Sequence, residues 1–153
     1  MEIASTTYVF KGTDSRQAKD LYDKIESLKQ MKKPLVENPW AKPLGDKLYF
    51  GCLINLFGGD CKKMFCDGAI RSFKLNQNTV NIACNTVYYE AAEFRHFVER
   101  QYPGSKIYYL ERDGYDEFST NDVNGEFFKG RYYVFFEGDA DYCNHRGSGE
   151  ILQ

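Results

Sequence analysis

A chain of 153 residues, 42% hydrophobic and 16% aromatic, is long enough to bury a core and too rich in Tyr and Phe to be disordered. Its longest apolar run, Leu48–Phe57, is broken by Gly51 and Asn55 and falls far short of the ~20 residues that cross a bilayer. The net charge of −2 hides an asymmetry: residues 1–100 carry 15 Lys/Arg against 12 Asp/Glu, and residues 101–153 carry 5 against 10, so neither part has the field of a dedicated nucleic-acid binder.

Residues 1–7 lack the basic and apolar regions of a secretion signal, so a cytoplasmic chain with no membrane partner is expected. The five cysteines, an odd number without secretory context, then read as reduced thiols.

The β-favouring run Thr6–Phe10 predicts a first strand ending at Gly12. Asp14-Ser15-Arg16-Gln17 has the form of a capping box, and Ala18, Leu21, Tyr22, Ile25 and Leu28 follow at helical spacing, so a helix is expected over about 14–31. Residues 32–45 hold Pro34, Pro39 and Pro43 around Trp40 and read as a loop. Leu48–Phe57 fits either a buried strand or a short helix, with helix favoured because Gly58-Gly59 suits a helix C-cap. Phe73 and Leu75, then Val80, Ile82 and Cys84, alternate with small or polar residues on either side of Gln77-Asn78. This predicts a hairpin over about 69–85, with Asn tolerating the left-handed turn.

Val87, Ala91, Phe94, Val98 and Tyr102 mark a second helix, stopped by Pro103-Gly104. A strand at Lys106–Glu111 has Ile107 and Tyr109 on one face. An acidic loop over 113–126, a strand at Tyr132–Phe136 and an irregular tail from Gly138 complete the chain. The order predicts one α+β domain over residues 1–153, with its core at about 5–137. The fold expected is a ferredoxin-like (split β-α-β) core with an insert after the first helix and an extra C-terminal strand. Both helices should then pack on one sheet face, where Ala18, Leu21, Ile25, Leu28, Ala91, Phe94 and Val98 meet Phe73, Val80, Ile82 and Ile107.

Several segments resemble the YubB-type ferredoxin-like small proteins of plasmids, phages and conjugative elements. They are Gly58-Gly59-Asp60 before the hairpin, the aromatic second helix ending in Tyr102-Pro103, and Lys106-Ile107-Tyr108-Tyr109. Thr120-Asn121-Asp122, Gly125-Glu126-Phe127-Phe128 and Arg131-Tyr132-Tyr133 complete the set, so the resemblance spans about residues 47–137. It implies the fold and a mobile-element origin, and no reaction.

Candidate chemistry is sparse. Lys129–Phe136 partly matches the RNP1 pattern of RNA-recognition domains, but Arg131 stands where an aromatic is needed, and a core or half-covered strand explains the same residues. Cys61 and Cys66 with Cys143 and His145 could supply four zinc ligands, at wider spacing than structural knuckles favour. Asp113, Asp116, Glu117 and Asp122 could hold a hard cation but lack the calcium-loop register, so a solvated acidic face is the simpler reading. His96 could serve as base to Cys84, or pair with Glu93 and Glu99 along its helix. No P-loop, dinucleotide fingerprint, nucleophile elbow or zincin helix occurs.

The tyrosine pairs Tyr88-Tyr89, Tyr108-Tyr109 and Tyr132-Tyr133 should each turn one ring outwards, as suits a binding surface. The sequence therefore points to a non-enzymatic interaction module with no cofactor. Its expected surface includes Tyr108, Tyr109, Asp113, Tyr115, Asp116, Glu117, Tyr132 and Tyr133, and its expected partner is another protein. By the resemblance that partner is a host protein met by a mobile-element accessory or anti-defence factor. Single-stranded nucleic-acid binding through the sheet face, with Tyr133 and Phe136 stacking on bases, is the alternative. A small metal-dependent enzyme is a third possibility.

Overall fold

The computed structural model describes residues 3–38, 46–112, 117–128 and 146–148. Strand β1 (Ile3–Lys11) starts three residues before the β-favouring run, because Ile3, Ala4 and Ser5 pair with Val87, Thr86 and Asn85 of a neighbouring strand. Helix α1 (Ser15–Gln30) opens as its sequence dictates: the Gln17 amide donates to the Asp14 carboxylate at 3.0 Å. Gln17 reaches back one residue further than a capping box requires, accepting from the Thr13 amide at 2.8 Å.

Residues 50–56 are helix α2 (Phe50–Leu56), and Gly58-Gly59 closes it. The Gly59 amide donates to the Ile54 carbonyl and the Gly58 amide to that of Asn55, a Schellman pairing that needs the +89° φ of Gly58. A single 3-10 turn (Cys61–Lys63) leads to the hairpin of β2 (Gly68–Asn76) and β3 (Thr79–Val87). The left-handed residue of its turn is Gln77 (φ 56°). Asn78 instead ties the hairpin to the end of β1, its carbonyl accepting from the Gly12 amide and its Nδ2 donating to the Gly12 carbonyl.

Helix α3 (Ala92–Gln101) begins later than its apolar spacing suggests. Val87 matches the helical stripe but belongs to β3, opposite Ile3, and Tyr88 at φ 65° separates strand from helix. Strand β4 (Lys106–Arg112) follows. The loop expected over 113–126 is partly ordered sheet: β5 (Glu117–Thr120) pairs with β4, because Phe118 is buried against Val9, Leu110 and Phe128. The irregular tail expected from Gly138 is interrupted by β6 (Arg146–Ser148), which pairs with β5. The strand expected at Tyr132–Phe136 lies outside the described residues.

The fold is α+β: an open antiparallel sheet in the order β2-β3-β1-β4-β5-β6, with three α-helices among the described residues. The helices share one face. Ala18, Leu21, Ile25 and Leu28 of α1, Phe50, Leu53 and Ile54 of α2, and Phe94 and Val98 of α3 form one core with Tyr8, Phe10, Val80, Ile82 and Ile107 of the sheet. The rings of Phe50 and Phe94 stack at 3.9 Å at its centre. On the other face a smaller cluster, Val9, Leu110, Phe118 and Phe128, lies beneath the segment 121–128. No helix among the described residues is long and apolar enough to cross a membrane.

Candidate functional site

Of the surface expected from the sequence, Asp113, Tyr115, Asp116, Tyr132 and Tyr133 lie outside the described residues, and Glu117 opens β5. Tyr109 is fully buried on the helix face, so its ring offers nothing to a partner. Tyr108 points to the opposite face and is half covered by Phe127, with the ring centroids 4.9 Å apart. Asp122 corrects the reading of a solvated acidic face. It is buried, and its carboxylate accepts from the amides of Glu126, Phe127 and Phe128 at 2.8, 3.0 and 2.7 Å. Its work is structural: it folds residues 121–128 into a strap that lays Phe127 and Phe128 over the sheet.

The thiols and the histidine stand apart from one another chemically. Cys84 is fully buried, and loss of water pushes its thiol up, away from the nucleophilic form. No hydrogen bond joins it to His96, whose Nδ1 lies 2.9 Å from Glu99 Oε1. Glu99 also accepts from the Ile107 amide at 2.7 Å, joining α3 to β4. Cys66 lies near Cys61, its Sγ 3.6 Å from the Cys61 carbonyl, and burial raises both thiols. Cys143 and His145 are outside the described residues, among which no group of three or more His, Cys, Asp or Glu is placed to hold a metal.

A polar node that the sequence reading missed sits at the start of α3. Arg95 is 1% exposed, and its Nη2 and Nε donate to Glu90 Oε1 at 3.1 and 3.2 Å. The Tyr8 hydroxyl donates to Glu90 Oε2 at 2.9 Å and accepts from the Ala91 amide at 3.0 Å. The Glu90 amide donates to Glu111 at 2.7 Å, and the Arg95 guanidinium lies 4.8 Å from the centroid of the Tyr109 ring. Burial alone would lower the pKa of Arg95, but the Glu90 carboxylate outweighs it and holds the guanidinium charged. Burial, then the same carboxylate, holds Tyr8 neutral well above the ordinary tyrosine range. The available signal was the register: Arg95 falls on the Ala91, Val98, Tyr102 stripe, where a charge needs a buried partner.

This node fixes the residues just after an unusual turn. The Tyr89 amide donates to the Val87 carbonyl at 2.7 Å across Tyr88, a γ-turn with positive φ, which is strained for a residue with a Cβ. It is held from both sides. The Val87 amide is bound to the Asp67 carbonyl, and Glu90 and Ala91 are bound by Glu111 and Tyr8. The result is an aromatic corner: Tyr88 and Tyr89 are 48% and 55% exposed. Phe65, 52% exposed, is tied to the same segment, its amide bound by Glu93 of the first turn of α3 and Asp67, two residues on, accepting from Val87. Ile3, opposite Val87, is exposed at the same end of the sheet. No family model, curated protein or solved structure matches the chain.

Proposed function

We propose that this protein is a non-enzymatic interaction module that binds another protein through the corner formed by Phe65, Tyr88 and Tyr89. The observation that carries the reading is the strained turn at Tyr88, held by a buried ion pair while Tyr88 and Tyr89 stay about half exposed. Strain of this kind costs on the order of 1–3 kcal/mol and persists only where the surroundings enforce it, which is a mark of functional positions. Exposed aromatic rings are the side chains that most often anchor protein interfaces. The tyrosine pair singled out by this geometry is Tyr88-Tyr89, in place of Tyr108-Tyr109.

The first four strands support a ferredoxin-like reading. Their order is β4-β1-β3-β2, with α1 after β1 and α3 after β3, α2 as the insert, and β5 and β6 added beyond β4. An accessory or anti-defence role against a host protein rests on the resemblance to the YubB-type proteins.

Affinity capture from a host lysate with the wild type and with Tyr88→Asn/Tyr89→Ser tests the proposal, since exposed positions can be changed without unfolding the chain. Proteins retained by the wild type at several salt concentrations and lost with the variant are the expected result. Equal recovery by both proteins, or background alone with both, would overturn it.

A further inference from the structure

The face of the sheet away from the helices is chemically unlike the rest of the molecule. Alternation places Ser5, Thr7 and Lys11 of β1, Ser72, Lys74 and Asn76 of β2, Asn81, Ala83 and Asn85 of β3, and Arg112 of β4 on that face. Ser5, Ser72, Lys74, Asn76, Asn81 and Arg112 are all exposed. No Asp or Glu occupies an outward position of β1–β4 on this face. The one described carboxylate at its border is Glu126 of the strap, paired with Lys11.

The result is a trough. The strap with Phe127 and Phe128 covers Val9, Tyr108 and Leu110 and walls one side. Lys74 of β2 lies on the other side, and Arg112 lies at the end of the floor beside Ser5. From the Ser5–Asn85 row to the Lys11–Thr79 row is six residues, about 20 Å, and β2 to β1 is two strand spacings, about 10 Å. The floor is built of small hydroxyl, amide and methyl side chains. These allow a chain to approach closely and offer neutral hydrogen-bond donors.

We propose that this trough binds the phosphate backbone of a single-stranded nucleic acid, independently of the aromatic corner. Charge complementarity selects a polyanion. Ile3 and Val87 lie beyond the end of the trough. Between its two end rows the floor outside the strap carries no large apolar or aromatic side chain, which disfavours a protein surface, whose binding energy concentrates in such anchors. Cations with Ser, Thr and Asn donors are the groups that grip phosphate and sugar without reading bases. The length suits about four nucleotides, the short end of single-strand sites.

The test is fluorescence anisotropy of a labelled mixed-sequence oligonucleotide of about 12 nucleotides with the full chain. Engagement of three to four cations predicts that log affinity falls against log salt with a slope of about −2 to −3. Lys74→Glu/Arg112→Glu changes only exposed positions and should weaken binding at least about tenfold, while circular dichroism stays that of the wild type. Tyr88→Asn/Tyr89→Ser should bind as the wild type does, which separates this site from the protein-binding corner. No anisotropy change at low salt, or equal affinity of the double variant, would overturn the proposal. So would displacement by polyglutamate at the same concentration of charge, which would assign the trough to an acidic protein segment.

Discussion

The two faces of the sheet solve the same burial problem differently. On the helix side, three helices press a continuous set of aromatic and aliphatic residues onto β1–β4, and one ion pair, Arg95–Glu90, is enclosed with them. On the other side a single strap covers only three buried apolar residues, Val9, Leu110 and Phe118, and leaves most of the remaining floor small and polar. Stability therefore resides mainly on the first face, and the second is free to carry charge. The polar node shows the converse: where charge enters the core, it holds the corner at Tyr88 in a strained form.

The largest effects should come from the helix face. Phe94→Ala removes half of the stacked pair with Phe50 and should cost about 3–5 kcal/mol, measured by urea denaturation. Arg95→Ala should cost about as much, because it leaves the Glu90 carboxylate buried without its cation. It should also loosen residues 88–91, seen as faster hydrogen exchange there than in β3. Arg95→Ala with wild-type stability would show that the node lies open to water.

The strap should respond less. Asp122→Asn keeps the shape but loses the charge that accepts from three amides, and should cost about 1.5–3 kcal/mol. Fluorescence quenching should then rise as Phe127 and Phe128 lift from Tyr108. A variant as stable as the wild type would mean that the strap contributes nothing to folding.

Alkaline titration tests the buried hydroxyls of the helix face. Tyr8, Tyr49 and Tyr102 are all held protonated above their ordinary range, chiefly by burial, with Glu90, Cys66 and Asp20 respectively as hydrogen-bond partners. The native state thus keeps protons that the unfolded chain releases above about pH 10, so stability should fall as pH rises through that range. Melting temperature followed from about pH 8 to about pH 11 should decline, more shallowly in Tyr8→Phe. A flat profile would contradict the burial of these groups.

The smallest effects belong to the open floor. Lys74→Ala and Ser72→Ala should each stay within about 0.5 kcal/mol of the wild type, because neither side chain is buried. Glu93→Ala, which gives up the Phe65 amide, should cost about 1 kcal/mol.

Much of the helix face was legible in the chain itself. The stripe Ala18, Leu21, Ile25, Leu28 and the alternation of Phe73, Leu75, Val80 and Ile82 follow from local periodicities that a buried face imposes on one element at a time. The Asp14 cap and the Gly58-Gly59 stop are local chemistry of the same kind. The candidate sites were not. Val87 continued a helical spacing, yet pairing with Ile3, more than eighty residues away, made it strand and left Tyr88 to break the chain's direction. The acidic residues near 113–126 looked solvated because nothing local showed that Asp122 would find three amides to bind. Tyr8, Arg95 and Glu111 come from three elements and Glu90 from the connection before α3, and no spacing brings them together. The cations Lys74 and Arg112 likewise belong to separate strands of a chain whose net charge is negative. Periodicity reports which side of an element is buried, but which elements share a face is set by long-range pairing, so the core was written locally and the surfaces were decided only when the sheet closed.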